Sequence, residues 1–271
     1  MKRVVYFMLG FACAVLMAVL VVSVPSMVAE ENDPAPVVQG SSLLYGLVSY
    51  WRLDEPTGPR VDSRGVNELH DNGVFSGNGK LGSAAKFIDK SQYLYTDVSN
   101  DLDTGNLSSY SLAMWVYMPD LNNTEVLVYK GVPPGDGEYE LLFNSFTQEL
   151  YFFTDIALGD CGVSSRNVSV GWNYIVAIYD YDGFSYLCGL SINGENFIEN
   201  TAAGGTRESF GALYVGSGGG FSFTGQIDSL GFWNRRLEQA EVAALYNGGA
   251  GSEYPFRSSC CGCMCVKPCG Q

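Results

Sequence analysis

Two glutamates, Glu138 and Glu140, stand two residues apart in a segment of strand-like composition. Residues at positions i and i+2 of a β-strand point to the same face, about 7 Å apart. Hydrolysis of a glycosidic bond uses two carboxyl groups separated by roughly 5–10 Å, so this pair has a workable spacing. Position 142 on the same face is leucine, however, and no third acid follows. We therefore expect an exposed polar face here rather than an active site.

No other group in the sequence has the spacing of a known catalytic motif. The single histidine, His70, has no second histidine with which to form a zinc site and no serine or cysteine motif beside it to activate. A phosphate-binding loop, a G-x-S-x-G turn and an H-E-x-x-H helix are all absent from the sequence. We expect His70 to be a solvated or packed loop residue and the protein to have no enzyme activity.

Carboxylates near the two ends of the predicted sheet region could hold calcium, which is bound by about six to eight oxygen atoms. Glu55 and Asp62 follow the first predicted strand, and Asp228 lies in the last one. These three residues are candidate calcium ligands, and calcium is the one cofactor that the sequence suggests. The alternative for Asp62 is that its side chain caps the turn Asp62–Gly65.

Recognition of a sugar needs exposed aromatic rings for stacking and polar groups that bind hydroxyls. The run from Gly218 to Phe223 could present rings on a flexible rim, or it could be a packing cluster beside a hairpin turn. The candidate ligand-binding aromatics in loops are Tyr181, Phe184, Phe210, Phe221 and Phe223.

One of the eight cysteines, Cys13, lies in the apolar N-terminal run as a small hydrophobic residue, and the other seven fall into two groups. Cys161 and Cys188 could form a disulfide in an oxidising compartment, or they could pack as free buried thiols. The second group is a dense cluster near the C-terminus, formed by Cys260, Cys261, Cys263, Cys265 and Cys269. Its spacing does not match a zinc finger, so local disulfides or cross-links between chains rank above metal capture by thiolates. An odd number of tail thiols leaves at least one for another chain or for Cys13, Cys161 or Cys188, so a disulfide-linked oligomer is one option.

The N-terminal segment predicts export. Three residues, Met1–Arg3, form a basic start, and positions 4–24 carry no charge. This length is close to the roughly 20 residues that span a bilayer, and it exceeds a typical signal-peptide core. Residues 1–29 are therefore a signal peptide or a signal-anchor transmembrane helix, and the rest of the chain is secreted or faces outward from the membrane.

The pattern of the remaining chain predicts strands separated by turns. Alternation in Ser111–Met118 places Leu112, Met114 and Val116 on one apolar face and Trp115 on another, so this strand should be central and covered on both sides. Helix formers from Leu237 to Asn247 predict one short helix. The predicted strands are Gly46–Leu53, Ala84–Ile88, Ser111–Met118, Glu125–Lys130, Glu138–Asn144, Glu149–Thr154, Trp172–Asp180, Tyr186–Asn193, Ala212–Gly216 and Gly225–Trp233.

The charge balance limits the partners. The 271-residue chain has 15 Lys and Arg against 29 Asp and Glu, which gives a net charge of −14. Binding to nucleic acid requires clustered positive charge, so nucleic acid is not an expected partner. The membrane is an expected partner only through the N-terminal segment, if that segment is not cleaved.

Four stretches together resemble the laminin-G-like jelly-roll family of the concanavalin A-like lectin and glucanase superfamily. They occupy residues 46–65, 79–96, 110–118 with 172–180, and 225–251, and the last is the most specific, with Ile-Asp, an aromatic, Asn-Arg and a helix that ends in Leu-Tyr-Asn-x-Gly. The resemblance implies two stacked antiparallel sheets, with the N-terminal segment beside the C-terminal strand. It thereby implies an approach of Asp62 to Asp228, and many relatives hold calcium.

The prediction is an all-β jelly-roll sandwich with one short C-terminal helix, preceded by an N-terminal hydrophobic helix. The expected regions are the signal or anchor segment 1–29, a linker 30–42, the sandwich 43–256 and a Cys-rich tail 257–271. Because relatives are carbohydrate-binding, adhesion and receptor-binding modules, the resemblance implies a non-catalytic extracellular binding module for a glycan or a surface protein, with calcium assistance as an option. Two alternatives remain: a structural surface or virion-associated protein cross-linked through its tail, and a laminarinase-type glycoside hydrolase.

Overall fold

A computed structural model describes residues 40–105, 109–132, 136–154, 161–181, 184–202 and 211–256. Across these ranges, no helix has both the length and the apolar character that a membrane crossing requires. The predicted signal or anchor segment, the Cys-rich tail and Phe210 lie outside the described residues. Predictions about them therefore stay predictions.

The elements alternate between strands and tight turns, as the sequence predicts. The helices are α1 (Gly40–Leu44) and α2 (Gln239–Tyr246), with 3-10 turns at Asn100–Leu102 and Asn247–Gly249. The strands are β1 (Leu47–Trp51), β2 (His70–Asn72), β3 (Phe75–Asn78), β4 (Ser83–Phe87), β5 (Tyr93–Tyr95), β6 (Ser109–Met118), β7 (Glu125–Val132), β8 (Asp136–Asn144), β9 (Glu149–Thr154), β10 (Cys161–Ser165), β11 (Gly171–Tyr181), β12 (Tyr186–Ile192), β13 (Ile198–Ala202), β14 (Ala212–Val215), β15 (Ser217–Gly218), β16 (Phe221–Ser222) and β17 (Gly225–Trp233).

The described strands form two large antiparallel sheets, and β15 and β16 form a separate two-stranded ladder. One has eight strands in the order β13-β12-β11-β6-β17-β4-β3, with β1 paired to β17 as well. The other has seven strands in the order β10-β9-β8-β7-β14-β5-β2. The pairing of β1 with β17 places the beginning of the sandwich beside its last strand, which confirms the arrangement that the family resemblance implies.

Strand β6 is central, and both of its faces are buried. Leu112, Met114 and Val116 belong to the core between the sheets. Ala113 and Trp115 belong to a second core on the outer face of the eight-stranded sheet. The predicted double coverage of this strand is therefore confirmed.

The second core is closed by segments from both ends of the described chain. Helix α2 buries Val242 and Leu245 there, and Leu43 of α1 packs into the same cluster. A capping box between Glu238 and Glu241 starts α2. Helix α1 begins at Gly40, inside the stretch that the sequence predicts to be a linker, because Leu43 has an apolar cluster to join.

A disulfide between Cys161 and Cys188 joins the two sheets at one edge of the sandwich. Cys161 lies in β10 of the seven-stranded sheet, and Cys188 lies in β12 of the eight-stranded sheet. The pairing considered in the sequence analysis is thus formed, and the alternative of two free buried thiols is not adopted.

Candidate functional site

The outer face of the seven-stranded sheet carries a continuous row of opposed residues, one from each strand. Directly opposed residues in an antiparallel pair project from the same face, so the register alone places these side chains together. Their strand neighbours, such as Leu94, Val215 and Phe152, lie in the core between the sheets, which fixes the row on the outer face. In strand order the row is His70, Tyr95, Tyr214, Tyr129, Glu140, Phe153 and Gly162.

The rings at the β2 end of this aromatic row form one cluster. The ring centroids of Tyr95 and Tyr214 lie 6.3 Å apart and are nearly parallel. Tyr93, two residues before Tyr95 and on the same face, lies 6.0 Å from Tyr214. Tyr129 follows at 6.5 Å from Tyr214. Tyr93, Tyr95 and Tyr214 are partly exposed, so they offer ring surface to a ligand.

A polar cavity opens at the β2 end of the row. It has a volume of about 320 Å³ and is lined by residues 66–68, by His70 and by residues 96–99. His70 Nε2 lies 3.2 Å from Asp97 Oδ1, and the His70 ring lies 5.1 Å from that of Tyr95. Hydroxyl-binding groups are therefore next to stacking rings. The expectation of a solvated or packed loop residue is wrong about the loop, because His70 lies on β2, but its side chain is 36% exposed and so is partly solvated.

The β9 end of the row carries a second pair of rings. Tyr151 and Phe153 lie on one face of β9, with centroids 5.3 Å apart and an interplanar angle of 8°. The Tyr151 hydroxyl donates to Glu149 Oε2 at 2.5 Å, and Arg166 Nε donates to Glu149 Oε1 at 2.9 Å. These contacts hold the pKa of Glu149 below its usual value.

The centre of the row is covered by a glycine hairpin, β15–β16 (Ser217–Ser222). A Cβ added at Gly218 would come within 2.3 Å of the Tyr129 Cβ, and one at Gly219 would come within 2.9 Å of Glu140 Oε1. Glycine at these positions is what lets the hairpin backbone approach so closely. Tyr129 is consequently fully buried, and Glu140 is 7% exposed.

Glu140 is buried without compensation. Its Oε1 atom has no hydrogen-bond partner. Burial alone raises the pKa of Glu140 to about 7, and no nearby charge contributes to this shift. Glu140 therefore stands between two groups of rings as a carboxyl group that is ready to accept a donor or a cation.

Glu138 does not share the surroundings of Glu140, although the sequence places the two on one face. The ladder between β7 and β8 is irregular at Lys130 and Gly131, which leaves Glu138 as an extra residue and breaks the alternation. Glu138 is completely buried and accepts from the Thr104 backbone and hydroxyl and from Lys130 Nζ. The prediction of an exposed polar face is therefore wrong for Glu138, and it is also wrong for Glu140, which is 7% exposed.

The aromatic ligand candidates from the sequence lie away from the row or beside it. Tyr181 stacks on Tyr186 at 4.5 Å, and Phe184 is 96% exposed in the turn that follows β11. Phe221 is 45% exposed and lies on the glycine hairpin. Phe223 is fully buried, packed at 5.7 Å against Phe87, so the prediction of Phe223 as a ligand contact is wrong.

Asp62, one of the three candidate calcium ligands, is engaged by its own turn. Its Oδ1 atom accepts from the backbone N–H groups of Tyr50, Arg64 and Gly65, and its Oδ2 atom accepts from Asn67 N–H. An oxygen that already accepts three hydrogen bonds has little capacity left for a cation. Asp62 thus caps the turn, which is the alternative that the sequence leaves open.

Asp228 and Glu55 also accept from the backbone. Asp228 Oδ2 accepts from Leu81 N–H, and burial raises the pKa of Asp228 to about 7. Glu55 Oε1 accepts from Val61 N–H. Among the described residues, no three acidic, cysteine or histidine side chains are grouped as a metal site requires. These oxygens do not fit a calcium centre, and the calcium prediction stays a prediction without support from this geometry.

Most residues of the aromatic row are missing from the sequence-based candidates. Tyr93-Leu94-Tyr95 and Leu213-Tyr214-Val215 carry the alternation that places tyrosine outward and leucine inward. This alternation could have identified Tyr93, Tyr95 and Tyr214 as outward-facing residues from the sequence alone. What the sequence does not show is that β5, β14 and β7 are neighbours, because these strands lie far apart along the chain.

Several solved structures share this fold. The binding domain of paraclostridial mosquitocidal protein 1 superposes with a TM-score of 0.59 at 15% identity, over 75% of this chain and 52% of that one. Domain 4 of AbnA, a GH43 extracellular arabinanase from Geobacillus stearothermophilus solved with arabinotriose, gives 0.53 at 14% identity, over 76% and 98%. Trypanosoma rangeli sialidase gives 0.58 at 15% identity, over 77% and 34%. The chain therefore spans about half of the mosquitocidal protein's binding domain and about a third of the sialidase.

No curated protein sequence matches this chain. The family model described as the concanavalin A-like lectin/glucanases superfamily matches residues 89–243, which is more than half of the 271 residues. This match runs from just before β5 into α2 and includes six of the seven strands that build the aromatic row. The chain belongs to the laminin-G-like family of the concanavalin A-like lectin/glucanase superfamily.

Proposed function

We propose that this protein is a non-catalytic, extracellular carbohydrate-binding module whose glycan lies along the aromatic row of the seven-stranded sheet. The observation that carries the proposal is the register, which aligns tyrosines from β5, β14 and β7 across neighbouring strands. Sugar rings stack on exposed aromatic faces, and partly exposed Tyr93, Tyr95 and Tyr214 supply such faces.

The other broad surface of the sandwich is already occupied. Helices α1 and α2 and the segment that ends at Phe256 cover the outer face of the eight-stranded sheet. In the part of the chain that the structure describes, the glycine hairpin lies over Tyr129 and Glu140 of the seven-stranded sheet. A ligand that needs a broad face of this fold therefore has room on the seven-stranded sheet.

The relatives support a binding role outside the cell. One is a toxin binding domain, and another is a domain of an extracellular arabinanase that was solved with arabinotriose. The disulfide between Cys161 and Cys188 is typical of an oxidising compartment. The absence of catalysis in the proposal rests on Glu138, which is bonded to Lys130 and Thr104 instead of standing beside Glu140 in the row. The laminarinase-type alternative would need that pair, and the structural alternative depends on the tail.

A glycan array tests the proposal with the full-length protein in a polyoxyethylene detergent, which carries neither sugar nor charge. Tyr95→Ala and Tyr214→Ala should each weaken binding by about tenfold, equivalent to about 1.4 kcal/mol. Tyr181→Ala is the matched control, because Tyr181 is a partly exposed, stacked tyrosine on the other sheet.

Two results would change the conclusion. If Tyr181→Ala weakens binding and the row variants do not, the ligand lies at the β11–β12 turn with Phe184. If no glycan binds in calcium or in chelator, carbohydrate recognition is refuted across the array, and a surface protein becomes the expected partner. Binding that disappears only in chelator would show that a divalent cation assists recognition.

A further inference from the structure

The centre of the aromatic row combines rings with an uncompensated acid. Glu140 is directly opposed to Tyr129 on one side and to Phe153 on the other. It is 7% exposed, and its Oε1 atom has no donor. A buried carboxyl group without a partner is costly to keep in a folded protein. A neutral, apolar side chain would serve packing between two rings at lower cost.

No positively charged side chain at the row positions forms an ion pair with Glu140. The row positions contain neither lysine nor arginine. Lys130, on β7, points away to Asp103, Glu138 and the Gly211 carbonyl. Arg166, near Tyr151, is paired with Glu149.

The groups at the β2 end of the row add negative potential. Asp97 and Glu68 line the cavity there, and Asp97 is 89% exposed. The chain as a whole carries a net charge of −14. Aromatic faces attract cations through their quadrupole, so the tyrosine cluster acts in the same direction as these carboxylates. The carboxylates and the tyrosine faces of the row thus favour a positively charged group.

The glycine hairpin controls access to Glu140. Gly219, which is exposed, lies directly over Glu140 Oε1. The hairpin is held by the short β15–β16 ladder and by the Ser222 hydroxyl, which donates to the Lys90 carbonyl at 2.7 Å. Lifting this hairpin would uncover Glu140 while leaving the tyrosines in place.

We infer that Glu140 is a specificity residue that binds a protonated amino group of the ligand when the glycine hairpin lifts, so that the row selects glycans with free amino groups over their neutral counterparts. This inference rests on the proposed function. In the complex, the ammonium group donates hydrogen bonds to the Glu140 carboxylate, and the rings of Tyr129 and Phe153 flank it. No bond is made or broken.

The test compares two probes with the same backbone: a hexamer of glucosamine with all amino groups free, and the hexamer of N-acetylglucosamine. Calorimetry uses the full-length protein in polyoxyethylene detergent at about 0.15 M salt, which screens exposed charges. The wild type should bind the amino hexamer about tenfold more tightly, or better. Glu140→Gln should reduce this preference to near unity and keep the binding of the acetylated hexamer.

Glu125→Gln is the matched control. Burial also raises the pKa of Glu125 to about 7, but its Oε1 atom accepts from Thr224 N–H, and Glu125 lies outside the row. This variant should retain the preference for the amino hexamer. The pair of variants thereby separates the position of Glu140 from the general negative charge of the protein.

The possible failures are distinct. Equal binding of both hexamers by the wild type, or a preference that survives Glu140→Gln, overturns the inference and leaves the proposed function standing. If neither hexamer binds while the array finds ligands that depend on Tyr95 and Tyr214, the inference also fails alone. If the glycan array also detects no binding, the proposed function is refuted together with this inference.

Discussion

Replacing Glu140 with glutamine should make the protein less sensitive to rising pH. Burial raises the pKa of Glu140 from 4.5 to about 7, so the folded state holds a proton that the unfolded state releases. Between these two values the folded state binds more protons, and stability therefore falls as pH rises. The Glu140 carboxyl group adds no penalty below its unfolded pKa, and the penalty is essentially complete above about pH 7.

The magnitude follows from the shift. About 2.5 pKa units at about 1.4 kcal/mol each gives a penalty of about 3 kcal/mol at pH 8, of which less than about 1 kcal/mol is present at pH 5. Glutamine keeps the shape and carries no charge at either pH. The free energy of unfolding of Glu140→Gln minus that of the wild type should therefore increase by about 2.5 kcal/mol between pH 5 and pH 8.

Urea unfolding followed by tryptophan fluorescence measures this difference, because Trp51, Trp115 and Trp233 are buried in the sandwich. Glu149→Gln is the control with the opposite sign. The bonds from Tyr151 and Arg166 lower the pKa of Glu149, so its stabilisation is present above the unfolded pKa and is lost in acid. A Glu140→Gln difference that does not change with pH would refute the reasoning, since it would mean that the carboxyl group titrates as if it were in water.

Three further predictions concern the fold around the site. Asp62→Ala should lower the free energy of unfolding by about 2–4 kcal/mol in urea titration, because four backbone donors lose their acceptor. If Asp62 held calcium instead, added calcium would stabilise the wild type and not the variant. Replacing Cys161 and Cys188 with alanine, which removes a bridge across 27 positions, should cost about 3.5 kcal/mol. Reductant should bring the wild type to the same urea midpoint and leave the variant unchanged. Gly218→Ala should cost about 1–3 kcal/mol in the same assay through its clash with Tyr129, and an unchanged midpoint would mean that the hairpin does not pack on the row.

Long strands were predictable from the sequence because their periodicity is strong. The alternation in Ser111–Met118 identifies β6, and its two apolar faces correctly predict two cores. Several of the short strands were missed. His70–Asn72 and Tyr93–Tyr95 have three residues each, which is too few to display a period. Ile198–Ala202 carries mainly polar or small residues in the sequence IENTA, so it has no apolar face to detect.

The candidate site was less predictable than the fold, for two physical reasons. First, the aromatic row joins strands by pairings such as Tyr95 with Tyr214, which are 119 positions apart, and one sequence does not encode strand order in a readable form. Second, one extra residue in a ladder reverses the expected face. The irregularity at Lys130 and Gly131 separates Glu138 from Glu140, which the regular alternation would have kept together.

The effect of Glu140 on protein stability and its proposed effect on ligand specificity have the same physical cause. A carboxyl group without a donor lowers the stability of the free protein, and the same missing donor is what a ligand can supply. Natural proteins tend to violate the rule of satisfied buried polar groups at functional positions. The two measurements on Glu140→Gln should therefore move together: the variant gains stability at neutral pH and loses its preference for amino groups. A gain in stability without a loss of preference would mean that Glu140 is a packing residue that lowers stability and does not contact the ligand. The ligand's polar contacts would then lie at the cavity beside His70 and Asp97.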